Sequence, residues 1–571
     1  MLGLSFKFVV LIDLLTTAFS VIDVKPNQPA VVNIKGQSNN SIVLRNVSVD
    51  ISYVTFQVHS QTKNITLSST PKPVVGKSVT GVDVGIVTIL ETNQTEVTCY
   101  ILSNYSEDVQ IHLAIYLMSG NIPVVGGCNL EFSLETDANL LVSYTSTRDL
   151  IEFQWSNIPL GSRSTSRIIT PQCEDQFYQD TLEYSVYVKY LSGNDLSTAG
   201  YFSALQQMLT AEDVMANGIQ LASTNNKASS QKPEFLIASY PGTGAVYNMV
   251  VKVTTPAGVT MAAYFPQVTY SCNLQQRDSC HMYGIFWKIS AVLLGIVGLF
   301  LNFLGHRFFR TGNFICAFLG FCIVFYSVLT LSSDQSDTVV LILTAVLSVV
   351  CAALWLGMFE FIGAAAISVL LTGLVAGYLI SSIVFYTKFG NLSYWHKPFN
   401  YGMAFTCGVL AIPVFILAYT KVLNIVSCSF IGSYLVILVP DIFLHSGMKY
   451  FVVNSLRHST DVDYVIVINT GPFLVTEIIL SCVWCLLSVV GAFVQFYNNW
   501  GLPDFPESSR SCGKKVQPKY NRVPARYSVE PEADEPDIDE PDIDEPDERS
   551  PLLRQTVNER RQRNKVVAAP T

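Results

Sequence analysis

Residues 401–439 read YGMAFTCGVLAIPVFILAYTKVLNIVSCSFIGSYLVILV, with Lys421 as the only charged side chain. A membrane helix needs about 20 apolar residues, so this run is far too long for one crossing. It divides into two spans, 401–420 and 422–443, folded about Lys421 as a tight antiparallel hairpin. The same threshold gives five more candidates at roughly 285–304, 314–331, 338–358, 362–385 and 470–496. Seven crossings put the two ends of the chain on opposite faces of a bilayer. The predicted fold is a multi-pass α-helical membrane protein, with seven transmembrane helices behind an N-terminal β-rich, β-sandwich ectodomain.

Composition agrees with that class. Only 14% of the 571 residues are charged and the mean hydropathy is +0.36, whereas soluble domains carry about 25% charged residues. The organisation that follows is a signal peptide at 1–20, an ectodomain at 21–283, a seven-helix domain at 284–497 and a disordered cytosolic tail at 498–571. The start, MLGLSFKFVVLIDLLTTAFS, has an early cation, an apolar stretch and a small-x-small cleavage pattern.

Orientation rests on sequons, which are glycosylated only where the chain meets the secretory lumen. They fall at Asn39, Asn46, Asn64, Asn93, Asn104 and Asn391. The cations Arg307 and Arg310 after the first span, and Lys514, Lys515 and Lys519 after the last, fit the same sense. Lys388, Lys397, Lys449 and Arg457 fall in outer loops and weaken the bias. The N-terminus is therefore expected outside and the C-terminus in the cytosol, in the plasma membrane or endolysosomes.

Segments such as SYVTFQVHS, VQIHLAIYL and YNMVVKVTT alternate in the period-2 manner of half-buried strands. They predict two sandwich modules with a boundary near 150–175, and a helical interruption at STAGYFSALQQMLTAEDVMANG. The ectodomain cysteines are Cys99, Cys128, Cys173, Cys272 and Cys280, an odd number. A Cys272–Cys280 bridge is favoured by proximity.

Within the bundle, Gly373-x-x-x-Gly377 is expected to serve internal helix packing, with dimerisation as the alternative. The acids Asp441 and Glu477 mark an outer position where a cation site is conceivable, the basis of a channel or transporter alternative; hydrated acids at helix ends are the plainer reading. The hallmarks of G-protein-coupled receptors are missing: the third span ends ALWLGMFEF and the seventh has no N-P-x-x-Y. No H-E-x-x-H, G-x-S-x-G or phosphate-cradling loop occurs, so no enzyme, cofactor or metal is expected. No nucleic-acid partner is expected, and the seven histidines read as ordinary polar surface.

The tail carries DEPDIDEPDIDEPDERSPLLR, 534–554, whose prolines and like charges keep it extended. Glu548 stands four residues before Leu552-Leu553, the pattern of an acidic dileucine sorting signal read by a clathrin adaptor.

Seven strings carry a resemblance: GGCNLEF (126–132), PGTGAVYN (241–248), LGHRFF (304–309), LILTAV (341–346), GLVAGYLISSIVFYTKFGNL (373–392), LNIVSCSFIGSY (423–434) and ERSPLL (548–553). With them the chain resembles the transmembrane 7 superfamily member 3 family. That resemblance implies a signal peptide, a glycosylated ectodomain and a helical domain related to the transmembrane protein 198 family. It also implies a process, cell survival under stress including a dampened unfolded-protein response, and no ligand or catalytic set. The combined reading is a non-enzymatic protein that binds an unknown ectodomain ligand or scaffolds within the membrane lipid.

Overall fold

The computed structural model describes residues 20–128, 132–163, 181–225, 233–255, 258–274, 276, 280, 284–332 and 336–506. Apart from Ser20, the signal peptide lies outside them, as do Cys173 and the tail from 507 onward, with Glu548, Leu552 and Leu553.

The first sandwich pairs a five-stranded sheet with a four-stranded one. The four-stranded sheet runs Ala30–Ile34, Val109–Ser119, Ile51–His59, Asp83–Ile89 in spatial order, all antiparallel. Alternation along Ile51–His59 sends Val54, Phe56 and Val58 into the core of this sandwich, with Ile42, Ile65, Leu67 and Ile101 of the facing sheet. The opposite face is not solvated as its polar alternation predicted. Tyr53 and Val87 join the core of the second sandwich, and Ala114 and Tyr116 a further cluster with that module. A sheet buried on both faces holds its polar residues only where partners exist.

Those partners are specific. His59 Nδ1 lies 2.9 Å from Asp83 Oδ1, which also accepts from the Tyr201 hydroxyl, and Asp83 Oδ2 accepts from Val268 N at 3.0 Å. Asn139 closes both ends of its amide on the Gly85 backbone, at 2.7 and 2.9 Å. His59 and His112 are thus interior residues of the joint between modules, not surface ones. Burial, with the neighbouring His59, pushes the His112 imidazole down to about 4.

The second sandwich has one sheet built on the long strands Leu182–Gly193 and Thr243–Thr255. Facing it are Leu141–Tyr144, Arg148–Glu152 and Glu234–Ala238. Phe153, Trp155, Tyr184 and Tyr264 meet edge-on in the core between them. The sandwiches change over between Ser119 and Val124, earlier than the 150–175 expected. Within the expected boundary region, buried Arg163 of the second module donates to the carbonyls of Ser48, Glu91 and Gln94 in the first. The expected helical interruption is two short helices, Thr198–Gln206 and Ala211–Asn217, capped by Ser197 and Thr210.

Cys272 and Cys280 form a disulfide. Cys128 is also disulfide-bonded, and Cys99 is a free thiol buried in the first core.

Among the described residues, six helical segments are long and apolar enough to span a membrane. One of them, Pro398–Leu444, has 47 residues, about 70 Å if straight, against a hydrocarbon core of about 30 Å. A short 3-10 turn at Leu417–Tyr419 breaks it into Pro398–Ile416 and Thr420–Leu444. Packing shows that the two halves reverse direction. Gly373 and Gly377 of the fourth helix (Ala365–Tyr386) meet Pro413 and Val409 in turn, an antiparallel pairing. The same helix runs parallel to the sixth, with Gly373 against Leu423 and Leu379 clustered with Tyr434. With the long segment divided, the described residues hold seven helices of spanning length: Ile285–Leu304, Phe309–Ser332, Asp337–Ile362, Ala365–Tyr386 and the two halves, closed by Val475–Asn498. Gly377 therefore serves internal packing: a Cβ there would come within 2.1 Å of Val409 O.

Candidate functional site

The sixth helix ends at Leu444 and the seventh begins at Val475, so the polar connection between them is 445–474, longer than the 444–469 that the apolar pattern leaves. It contains one helix that the sequence reading passed over, Tyr450–Thr460, and a short 3-10 turn at Val462–Ile466. This segment joins the ectodomain to the bundle through side chains and backbone on both sides.

On the ectodomain side, the sheet edge of Glu234–Ala238 receives the connection as a partial strand. Ala238 N donates to Ile468 O at 3.0 Å and Ile468 N to Leu236 O at 2.8 Å. Covering an open edge removes a row of unpaired amides. Buried Arg457 donates from Nη1 to Ser239 O and from Nη2 to Ser146 O, both at 3.0 Å, and stands 5.7 Å from the Tyr450 ring centroid. The Tyr190 hydroxyl donates to Thr470 O at 2.6 Å. Tyr240 packs edge-on against Tyr450 with centroids 4.7 Å apart, and its hydroxyl accepts from Asn454 Nδ2 at 3.2 Å.

Asp149, one strand in from that edge, accepts from Ser271 Oγ at 2.9 Å and from the Tyr247 hydroxyl at 3.0 Å. Burial pushes its carboxyl up to about 6, against the pull of those hydroxyls and of Arg457. His458, stacked on Tyr401 with centroids 4.2 Å apart, is driven down to about 4 by burial.

On the bundle side, the acids Asp441 and Glu477 anchor the connection's two ends. Asp441 Oδ1 accepts from Ser446 Oγ at 2.6 Å and Met448 N at 2.8 Å, and Lys449 Nζ lies 3.8 Å from Oδ2. Glu477 Oε1 accepts from Gly447 N and Oε2 from Leu474 N, both at 2.9 Å. Both carboxylates are buried and hold backbone amides at helix ends, where the dipoles leave such groups open. The outer acids thus hold the two ends of the connection: every carboxylate oxygen accepts at least one backbone or hydroxyl hydrogen bond.

Below the anchors, a polar seam continues between the first, sixth and seventh helices. Ser433 and Ser488 hydroxyls are 2.5 Å apart. Gln495 Nε2 donates to Asn302 O at 2.8 Å and Ser429 Oγ at 3.0 Å, while its Oε1 accepts from His306 N at 2.9 Å. Asn424 Nδ2 lies 2.9 Å from His306 Nδ1. The sequence reading missed this seam because scattered Asn, Gln and Ser barely dent a hydropathy average.

Asn46, Asn64, Asn93 and Asn104 are exposed on the first sandwich, and Asn39 is half-buried there. Asn391 differs: its Nδ2 donates to Thr470 Oγ1 at 2.6 Å and its Oδ1 accepts from Asn469 N at 2.7 Å. The junction uses both ends of that amide.

These features define a multi-pass membrane protein with a β-sandwich ectodomain seated on one end of its helix bundle. Residues 20–118 match the N-terminal immunoglobulin-like domain of TM7SF3-like proteins, 123–275 their second immunoglobulin-like domain, and 291–496 the TM7S3/TM198-like domain. The chain belongs to the transmembrane 7 superfamily member 3 family. It is 31% identical to the Homo sapiens member over 525 residues, covering 90% of each chain. To the Mus musculus member it is 32% identical over 530 residues, 90% of this chain and 92% of that one. A β-glucuronidase of Ruminococcus gnavus aligns over 42% of this chain and 35% of its own, at 11% identity and a TM-score of 0.15, and carries no argument.

Proposed function

We propose that the protein is a non-enzymatic binding or scaffolding component in which the ectodomain and the bundle act as one body. The observation that carries this is the Arg457 junction: a ligand on the second sandwich would load Ser146 and Ser239, and through the 445–474 connection the anchors Asp441 and Glu477. Asp441 and Glu477 are committed to backbone amides and to Lys449, which favours this reading over transport.

The N-terminus is proposed to face the lumen or outside, with glycans on Asn39, Asn46, Asn64, Asn93 and Asn104. The tail would then be cytosolic, with Glu548, Leu552 and Leu553 engaging a clathrin adaptor that directs the protein to endolysosomes. Stress and survival signalling is the process proposed. The test is proximity labelling from a tag after Thr571, in wild type and in Leu552→Ala/Leu553→Ala. The reading expects adaptor subunits among the wild-type neighbours, lost in the variant with a rise at the surface. Labelling of luminal proteins from that tag would overturn the orientation.

A further inference from the structure

The loop between the fourth and fifth spans carries cations on the ectodomain side, against the usual charge bias of membrane proteins. No acidic residue occurs between Glu360 and Asp441, yet Lys388 and Lys397 flank this loop and both are exposed. The loop is a pair of 3-10 turns, Lys388–Asn391 and Ser393–His396, and starts just after Tyr386 ends the fourth helix.

One side of it is fastened to the protein. Asn391 holds the 469–470 backbone and side chain, Trp395 Nε1 donates to Phe389 O at 2.7 Å, and Asn400 Nδ2 donates to Tyr394 O at 3.1 Å. Phe385 sits under Phe389 and Trp395 with centroids 5.5 and 5.7 Å away. The other side is bare: Leu392 is 48% exposed, Tyr394 65% and Phe399 76%. This apolar surface continues the lipid-facing flanks of the two helices, where Val384 and Met403 are exposed. Of the acids at the neighbouring turn, Asp463 is 3.5 Å from Arg148 and Asp461 accepts from Asp463 N at 3.0 Å.

We propose that Lys388–Phe399 is a docking surface for anionic phospholipid headgroups in the leaflet on the ectodomain side. Leu392, Tyr394 and Phe399 would enter the interfacial layer, where aromatic rings with a polar edge are favoured, and Lys388 and Lys397 would each meet a phosphate. The fastened side means that little ordering is required on binding. Continuity with the spans and the two exposed cations of a loop that carries no acid of its own select a lipid rather than a protein as the occupant.

The test uses the full chain in nanodiscs of phosphatidylcholine containing a minority of phosphatidylglycerol, each lipid in turn carrying a photoreactive headgroup, with crosslinked peptides mapped by mass spectrometry. Residues 388–400 should capture phosphatidylglycerol well above its share of the bilayer. Lys388→Gln/Lys397→Gln should lower that enrichment by up to about thirtyfold, roughly fivefold per lysine. Both side chains are exposed, so the variant should fold; Arg307→Gln/Arg310→Gln, on the opposite face, should leave the enrichment intact. Capture in proportion to bilayer composition, or enrichment that survives loss of both lysines, would overturn the proposal.

Discussion

Replacing Arg457 by Met tests whether the ectodomain is truly seated on the bundle. The change removes two hydrogen bonds made by a charged donor, to the carbonyl of buried Ser239 and to that of exposed Ser146, at about 1.5–3 kcal/mol each. It also removes a cation over the Tyr450 ring, worth about 1 kcal/mol. Against this stands the relief from burying a guanidinium, several kcal/mol before its partners are counted. The net should be a loss of about 3 kcal/mol at the junction, or roughly a hundredfold in local opening. Hydrogen exchange on the full chain in nanodiscs reads this directly, because the amides of Ala238 and Ile468 bond across the junction. Their protection should fall about a hundredfold while strand amides at Phe56 and Ile101, in the far sandwich, keep theirs. Arg457→Lys, a charge without the fork, should fall between. Protection at Ala238 and Ile468 within a factor of three of wild type would refute the reasoning, and so would a uniform loss across both sandwiches.

Three further outcomes are expected. Gly377→Val should separate the fourth and fifth helices, lowering folded yield in detergent, whereas Gly357→Val, with no atom near its added carbon, should be neutral. Asn391→Gln should lower the melting temperature by a few degrees for the loss of two hydrogen bonds, and Ser393→Ala, which destroys only the sequon, should leave it unchanged; equal melting of the two variants would contradict the latch. For pH, Asp149 is raised in the folded state, so its contribution favours folding below about 4 and is lost as pH rises through about 6. His112 and His458 are depressed to about 4, so theirs is present above the unfolded imidazole value and lost on acidification. Asp149→Asn should therefore steepen the loss of stability between pH 6.5 and 4, seen as a larger fall in denaturation midpoint than in wild type.

The spans were legible because a bilayer imposes length and apolarity on each helix separately, and Lys421 alone marked the hairpin that one long hydrophobic segment conceals. Strand alternation at Ile51–His59 was legible too, but not that both faces are covered, since Thr55 and Gln57 look solvated until a second module is placed against them. Asp441 and Glu477 stood out by charge. Their role did not, because their donors are backbone amides at 447, 448 and 474, which no side-chain pattern reports. Arg457 was seen only as an awkward outer cation; its partners lie 218 and 311 positions away. The odd cysteine, Cys99, required the core around it to be known before its isolation made sense.

The Tyr190 hydroxyl reaches a carbonyl 280 positions later in the chain, which sets an order of assembly. A ribosome delivers the second sandwich well before the residues that close its exposed border, and six helices must enter the bilayer in the interval. During that wait the border at Glu234–Ala238 stays open to any strand nearby, so nascent chains would need a chaperone there. A chain truncated before Ile468 would leave the border open permanently, giving the cell a simple mark by which to recognise and discard it.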